Sequence, residues 1–224
     1  MHRDHLSVLK RTGVVLVTVG VLDIGLMIYA IMSSTSYSSS LNFFAVIAGI
    51  FILRGSLRAA SLVRSFALFF AAALVAVLVV SPFIQPLDLT LTQARLNPGG
   101  FATLTLFLAL ALALFVWVAR ELGSPPVREA QASGGNPLTA RRTVIPVSVG
   151  VALALLVAIV SAFVQRSESG SRAMQDARTK LGESYNYHVS SLNYNFSGGV
   201  TRVSGAVSAW KADTVQIVPF EWRE

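Results

Sequence analysis

Residues 12–32 read TGVVLVTVGVLDIGLMIYAIM, an apolar run that holds one acid, Asp23, and no Lys or Arg. A helix that crosses a bilayer needs about 20 such residues, because the hydrocarbon core is roughly 30 Å thick and each helical residue rises about 1.5 Å. Working outward, residues 66–84, 101–119 and 144–164 meet the same length, again without Lys or Arg. The run 41–53 is shorter. It reaches membrane length only as 37–54, by recruiting Tyr37 to Ser40 at one end and letting Arg54 snorkel at the other. The expected fold is therefore mainly α: a five-helix transmembrane bundle over residues 1–164, with spans near 12–32, 37–54, 66–84, 101–119 and 144–164.

Composition agrees. The chain is 54% hydrophobic and 13% charged, whereas charged residues make up about a quarter of an ordinary soluble domain. The net charge of +7 does not point to nucleic acid, because Lys and Arg sit between apolar runs instead of gathering on one water-facing surface. Without cysteine, disulfides, thiolate nucleophiles and Cys-ligated metals are excluded. The first run follows Arg3, Lys10 and Arg11, as a signal peptide would, but it is too long for one and no small-x-small cleavage site follows it.

Short cytoplasmic loops carry the Lys/Arg excess. Arg3, Lys10 and Arg11 precede the first span, Arg54, Arg58 and Arg64 follow the second, and Arg120, Arg128, Arg141 and Arg142 follow the fourth. The intervening connections are poor in charge: 33–40 has none and 85–100 has only Asp88 and Arg95. Five crossings from a cytoplasmic N-terminus place residues 165–224 outside, which is the periplasm for a bacterial inner membrane. The connection 121–142, with Gly-Ser-Pro-Pro and Ser-Gly-Gly-Asn-Pro, reads as a mobile linker.

Residues 165–224 are polar and mixed in charge, and read as a small soluble α+β domain. Ala173, Met174, Ala177 and Leu181 recur at helical spacing, with Ser171 as N-cap and Gly182 as C-terminal cap. Tyr185, Tyr187 and Val189 alternate on one parity and Leu192, Tyr194 and Phe196 on the other, which predicts a bulge near Ser190. A turn at 196–199 leads to a second strand with Val203, Gly205, Val207 and Ala209 on one face. Ala212-Asp213 then turns the chain into a third strand, an edge because of Pro219. One helix and about three antiparallel strands form a domain of marginal size, which is expected to lean on the membrane, on the loop 85–100 or on a partner. Tyr185, Tyr187, Tyr194, Phe196, Trp210 and Trp222 exceed what so small a core encloses. They are candidate docking residues on the periplasmic side, with interfacial anchoring to lipid as the other reading.

Asp23 is the intramembrane polar candidate, since an ionised carboxylate at mid-span is costly. Its readings are a proton or cation relay, a contact to a basic residue of another subunit, or a carboxyl satisfied by neighbouring Ser, Thr or backbone groups. Small residues at four-residue spacing mark helix-packing faces: Ala45 and Gly49, Ala109 and Ala113, and Gly150, Ala154 and Ala158. Arg54, Arg58 and Arg64 read either as an ordinary cytoplasmic-face hairpin or as a contact to anionic lipid. His2 and His5 lack a third ligand for a metal. His188 stands without a nucleophile or an acid at recognisable spacing, and no phosphate-binding glycine loop occurs. Neither a cofactor nor a metal is expected.

The stretch SYSSSLNFFAVIAGIFILRGSLRAA (36–60), Pro86-Leu-Asp-Leu89 and LGESYNYHV (181–189) resemble segments of an uncharacterised family of proteobacterial multi-spanning inner-membrane proteins with a small C-terminal periplasmic domain. The resemblance implies a bacterial envelope location and no reaction. In plan, a membrane helix leading into a short helix, a Leu-Gly pair and antiparallel strands is also similar to small assembly factors of respiratory complexes. The expected function is a non-enzymatic accessory subunit or assembly factor of a larger inner-membrane complex, with membrane lipids and other membrane subunits as partners. A small transporter or ion-coupled protein centred on Asp23 is the alternative. A membrane enzyme acting on lipid or peptide comes third, because no catalytic cluster is visible.

Overall fold

A computed structural model of the chain describes residues 4–33, 42–134, 141–197 and 199–223. It is mainly helical, with α1 His5–Met32, α2 Asn42–Leu53, α3 Leu57–Ile84, α4 Leu87–Leu96, α5 Pro98–Glu121, α6 Pro125–Ser133, α7 Arg141–Arg166 and α8 Glu168–Leu181. Three strands follow: β1 Asn186–Ser197, β2 Val200–Lys211 and β3 Thr214–Arg223. Four helices, α1, α3, α5 and α7, are long and apolar enough to cross a membrane, as an integral membrane protein requires. They expose large apolar side chains that water would not tolerate in such density, among them Leu22, Phe107 and Ile159 at 63%, 65% and 66% exposure. Helix α2 has 12 residues, about 18 Å at the helical rise and short of the hydrocarbon thickness. The part of the expected second span at 37–41 lies outside the described residues.

The chain divides into two units, one of residues 1–73 and 111–150 and the other of 74–110 and 151–224. In the first, α1 and α2 pack antiparallel. A Cβ added at Gly13 would lie 2.9 Å from the Gly49 carbonyl, and one at Gly49 would lie 2.9 Å from the Gly13 carbonyl. The two backbones thus touch, which only glycine permits. Gly55, at φ +80°, makes the turn from α2 into α3, and Ser56 Oγ accepts from the Ala59 amide at 3.3 Å to open α3. Arg58 and Arg64 therefore lie on α3 itself. Around Leu9, Ile52, Ala67, Val118 and Leu122 the helices share an apolar core, with Phe70 stacked on Phe115 at 5.4 Å. The connection expected to be a mobile linker contains a helix instead. Pro125 and Pro126 occupy the first positions of α6, where a missing N–H costs nothing, and Gln131 Nε2 donates to the Leu57 carbonyl at 3.3 Å. The linker's residues 135–140 lie outside the described set.

In the second unit the strands form one antiparallel sheet of order β1-β2-β3. The register shifts between Val189 and Ser191, which places the bulge at Ser190. Past it, Leu192 faces Gly205 and Tyr194 faces Val203. Ala173 and Ala177 of α8 pack on Val189, Val203, Val207 and Phe220. On the opposite parity Ser208 and Trp210 are also buried, and α4 packs against β2 and β3. The loop 85–100 thus supplies one of the supports expected for the tail. Its helix has Asp88 in the first turn and Arg95 in the last, the charge order that a helix dipole favours. The N-cap of α8 is Ser167, whose Oγ accepts from the Gly170 amide at 3.0 Å. Ser171, expected in that role, lies inside the helix, because the chain leaves α7 only one residue before α8 begins. Gly182, at φ +85°, closes α8.

Candidate functional site

The most connected polar site of the second unit lies where the last turn of α7 meets β1. Gln165 Nε2 donates to the Val189 carbonyl at 2.7 Å, and its Oε1 accepts from the Val189 amide at 3.2 Å. One side-chain amide thereby replaces the strand neighbour that β1 lacks at its bulge, satisfying backbone groups that burial would otherwise penalise. The same Nε2 reaches His188 Nε2 at 3.4 Å. Since Gln165 Nε2 can only donate, His188 Nε2 accepts, and the ring proton belongs on Nδ1. The Ile84 carbonyl, which accepts from Ser161 Oγ at 3.4 Å, also favours the protonated imidazole. The imidazole is thus flanked by the Gln165 amide and the Ile84 carbonyl.

Burial holds the His188 pKa below its ordinary value of 6.5, with the Ile84 carbonyl acting in the opposite sense. The unfolded chain then takes up this proton first. Stability from the neutral ring is complete above about pH 6.5 and declines as pH falls through the folded pKa. The full-length protein in detergent should melt earlier at about pH 5 than at about pH 8, with a smaller acid loss in His188→Gln. An identical acid loss in wild type and variant would remove His188 as the cause.

The aromatic candidates separate by position. Trp210 is 6% exposed and its Nε1 is buried, so it belongs to the core. Tyr187 hydrogen-bonds the Gly182 carbonyl beneath Arg178. Trp222 stacks on Phe220 at 5.0 Å and lies under Arg172, while Tyr185 is half-buried under Lys211. Tyr194 and Phe196, at 46% and 77% exposure, face outward near the β1–β2 turn, beside Val200 at 45%.

The two outer edges of the sheet differ. β3 carries Pro219, Glu221 and Arg223, the proline and charges that blunt an edge. Residues 189–197 of β1 contain neither proline nor charge, and 193–197 are exposed.

Among the helix-packing candidates, Gly49 meets Gly13, which sequence reading passed over because α1 offers no second small residue four positions away. A Cβ at Gly150 would lie 2.6 Å from the Phe69 carbonyl. Ala154 is buried, Ala45 and Ala158 are half-buried, and Ala109 and Ala113 are exposed. Asp23 is half-buried within α1. Arg54 and Arg58 are exposed, whereas Arg64 is half-buried and lines a cavity with Arg120 and Arg128, a grouping that no spacing in the sequence announces. His2 lies outside the described residues. Compared with protein-family models, curated proteins and solved structures, the chain has no match.

Proposed function

We propose that this chain is a non-enzymatic accessory subunit or assembly factor of a larger complex in a bacterial inner membrane, and that its sheet is the recognition module. The observation that carries the reading is the contrast between the two sheet edges. One is blunted by Pro219 and charge, and the other is a long uncharged strand ending in exposed Tyr194 and Phe196. An unprotected edge is an aggregation hazard for an isolated protein and a docking site where a partner supplies an extended segment, its backbone giving affinity and alternate side chains specificity. The partner is accordingly another membrane subunit with an extended, weakly charged segment on the same side of the bilayer. In this reading α2 completes a fifth crossing, the N-terminus is cytoplasmic and the sheet periplasmic, as the distribution of basic residues supports.

A photoreactive residue at Phe196 in the full-length protein, expressed in its native membrane, should crosslink to one integral membrane protein, while the same residue at Asp213 should not. Phe196→Glu should weaken co-purification of that protein roughly tenfold, the loss typical of a central aromatic anchor. A chain that crosslinks to nothing and purifies alone, or a C-terminal reporter active in the cytoplasm, would dismiss the reading.

A further inference from the structure

Arg64 of α3, Arg120 of α5 and Arg128 of α6 line one cavity of about 490 Å³. Each comes from a different helix, so their convergence is a property of the fold. Three like charges around one space repel one another unless a counter-charge joins them. None of the ion pairs among the described residues includes any of the three. Two acids adjoin these arginines in sequence: Glu121 pairs with Arg11 at 3.9 Å and lines a neighbouring cavity together with Arg120 and Ser124, and neither Glu121 nor Glu129 lines the cavity of the three arginines.

Two polar atoms of the lining residues, Arg64 Nε and Ser124 Oγ, are shut from solvent without a hydrogen-bond partner. Ser124 stands at the N-cap position of α6, yet its side chain makes no capping bond. Gly123 leaves room for Arg64 and bonds Arg128. A Cβ there would lie 2.9 Å from both Arg64 Nε and the Ala119 carbonyl, and the Gly123 carbonyl accepts from Arg128 Nε; no ion pair among the described residues engages the terminal nitrogens of Arg128.

The remaining wall is apolar. Leu68 and Ala71 follow Arg64 on one face of α3, and Val116 and Ala119 precede Arg120 on α5, in two helices apolar enough to cross a membrane. A site of guanidinium forks above an apolar wall matches a phosphodiester joined to an acyl chain. Arginine pairs with phosphate oxygens through two parallel N–H donors, which lysine cannot reproduce. We propose that this cavity binds the headgroup phosphate of an anionic glycerophospholipid, with a chain of the same lipid lying along Leu68, Ala71 and Val116.

The test is thermal unfolding of the purified full-length protein in a neutral detergent, titrated separately with short-chain phosphatidylglycerol, short-chain phosphatidylcholine and inorganic phosphate. Phosphatidylglycerol should raise Tm in a saturable way, as a ligand of the folded state does. Neither phosphatidylcholine nor inorganic phosphate should do so at equal concentration. Arg120→Gln, at an exposed position that the fold tolerates, should weaken the phosphatidylglycerol response about tenfold, the cost of one charge-assisted pair. Gly123→Ala, whose Cβ would crowd Arg64 Nε and the Ala119 carbonyl without changing net charge, should weaken it as well. An equal response to phosphatidylcholine would reduce the site to an apolar groove, and an equal response to inorganic phosphate would make it a free-anion site. An undiminished response in Arg120→Gln and Gly123→Ala would place the lipid elsewhere. Each of these three outcomes overturns the proposal.

Discussion

Gly205→Val is expected to unfold the three-stranded sheet while leaving the α1–α2 pair intact. A Cβ at Gly205 would lie 2.7 Å from Phe220 Cζ and would collide with the Ser191 carbonyl. Both neighbours are fixed, the ring by its stack on Trp222 and the carbonyl by the adjoining bulge. Overpacking of this kind costs about 1–3 kcal/mol and sometimes more. A domain of about 60 residues has only some 3–9 kcal/mol of stability in total, so valine here consumes a large share of it. Limited proteolysis of the full-length protein in detergent should show new cleavage within β1–β3, with the fragments from α1 and α2 unchanged. Ser204→Ala, one residue away, should behave as wild type. A Gly205→Val protein as resistant as wild type would refute the packing described for this strand.

The second large effect is expected at Gly49. Lipid tails are as apolar as the helices they surround, so helix association in a bilayer rests on close packing and not on escape from water. The Gly13–Gly49 approach is such a contact between α1 and α2, with Val17 Cγ2 2.7 Å from the position a Gly49 Cβ would take. Gly49→Leu must part the helices along that seam, and the full-length protein should lose several degrees in Tm, the shift that about 1–3 kcal/mol produces in a chain of this size. Gly49→Ala should fall between Gly49→Leu and wild type. Ile47→Leu, on the exposed side of the same helix, should leave Tm unchanged. A Tm that ignores residue size at Gly49 would mean that α1 and α2 are not held by this contact.

What could be read from the sequence follows the range of the interactions involved. The long apolar runs, the parity change at Ser190, the turn at Ala212-Asp213 and the glycine cap at Gly182 are local signals, set by helical rise, strand alternation and backbone freedom. The N-cap of α8 is also local, but it falls on Ser167 and not on Ser171, because α7 runs to Arg166 and α8 begins at Glu168. Helix α6 was obscured by its two prolines, which break a helix interior yet suit its first turn. The arginine cavity and the Gly13–Gly49 seam join residues far apart in the chain. No periodicity in a single sequence records which helix lies beside which, so Arg64 was grouped with its chain neighbours Arg54 and Arg58 instead of with Arg120 and Arg128.

The packing of α4 against β2 and β3 bears on the order in which the protein is made. Ribosomes deliver α4 well before the first residue of the sheet, so the strands emerge to find one of their supports already waiting. Assembly of the sheet then completes a platform laid down earlier. A fragment beginning at Gln165 would be born without that platform, and an expression strategy that keeps residues 74–224 together retains α4 and the Ile84 carbonyl with the sheet.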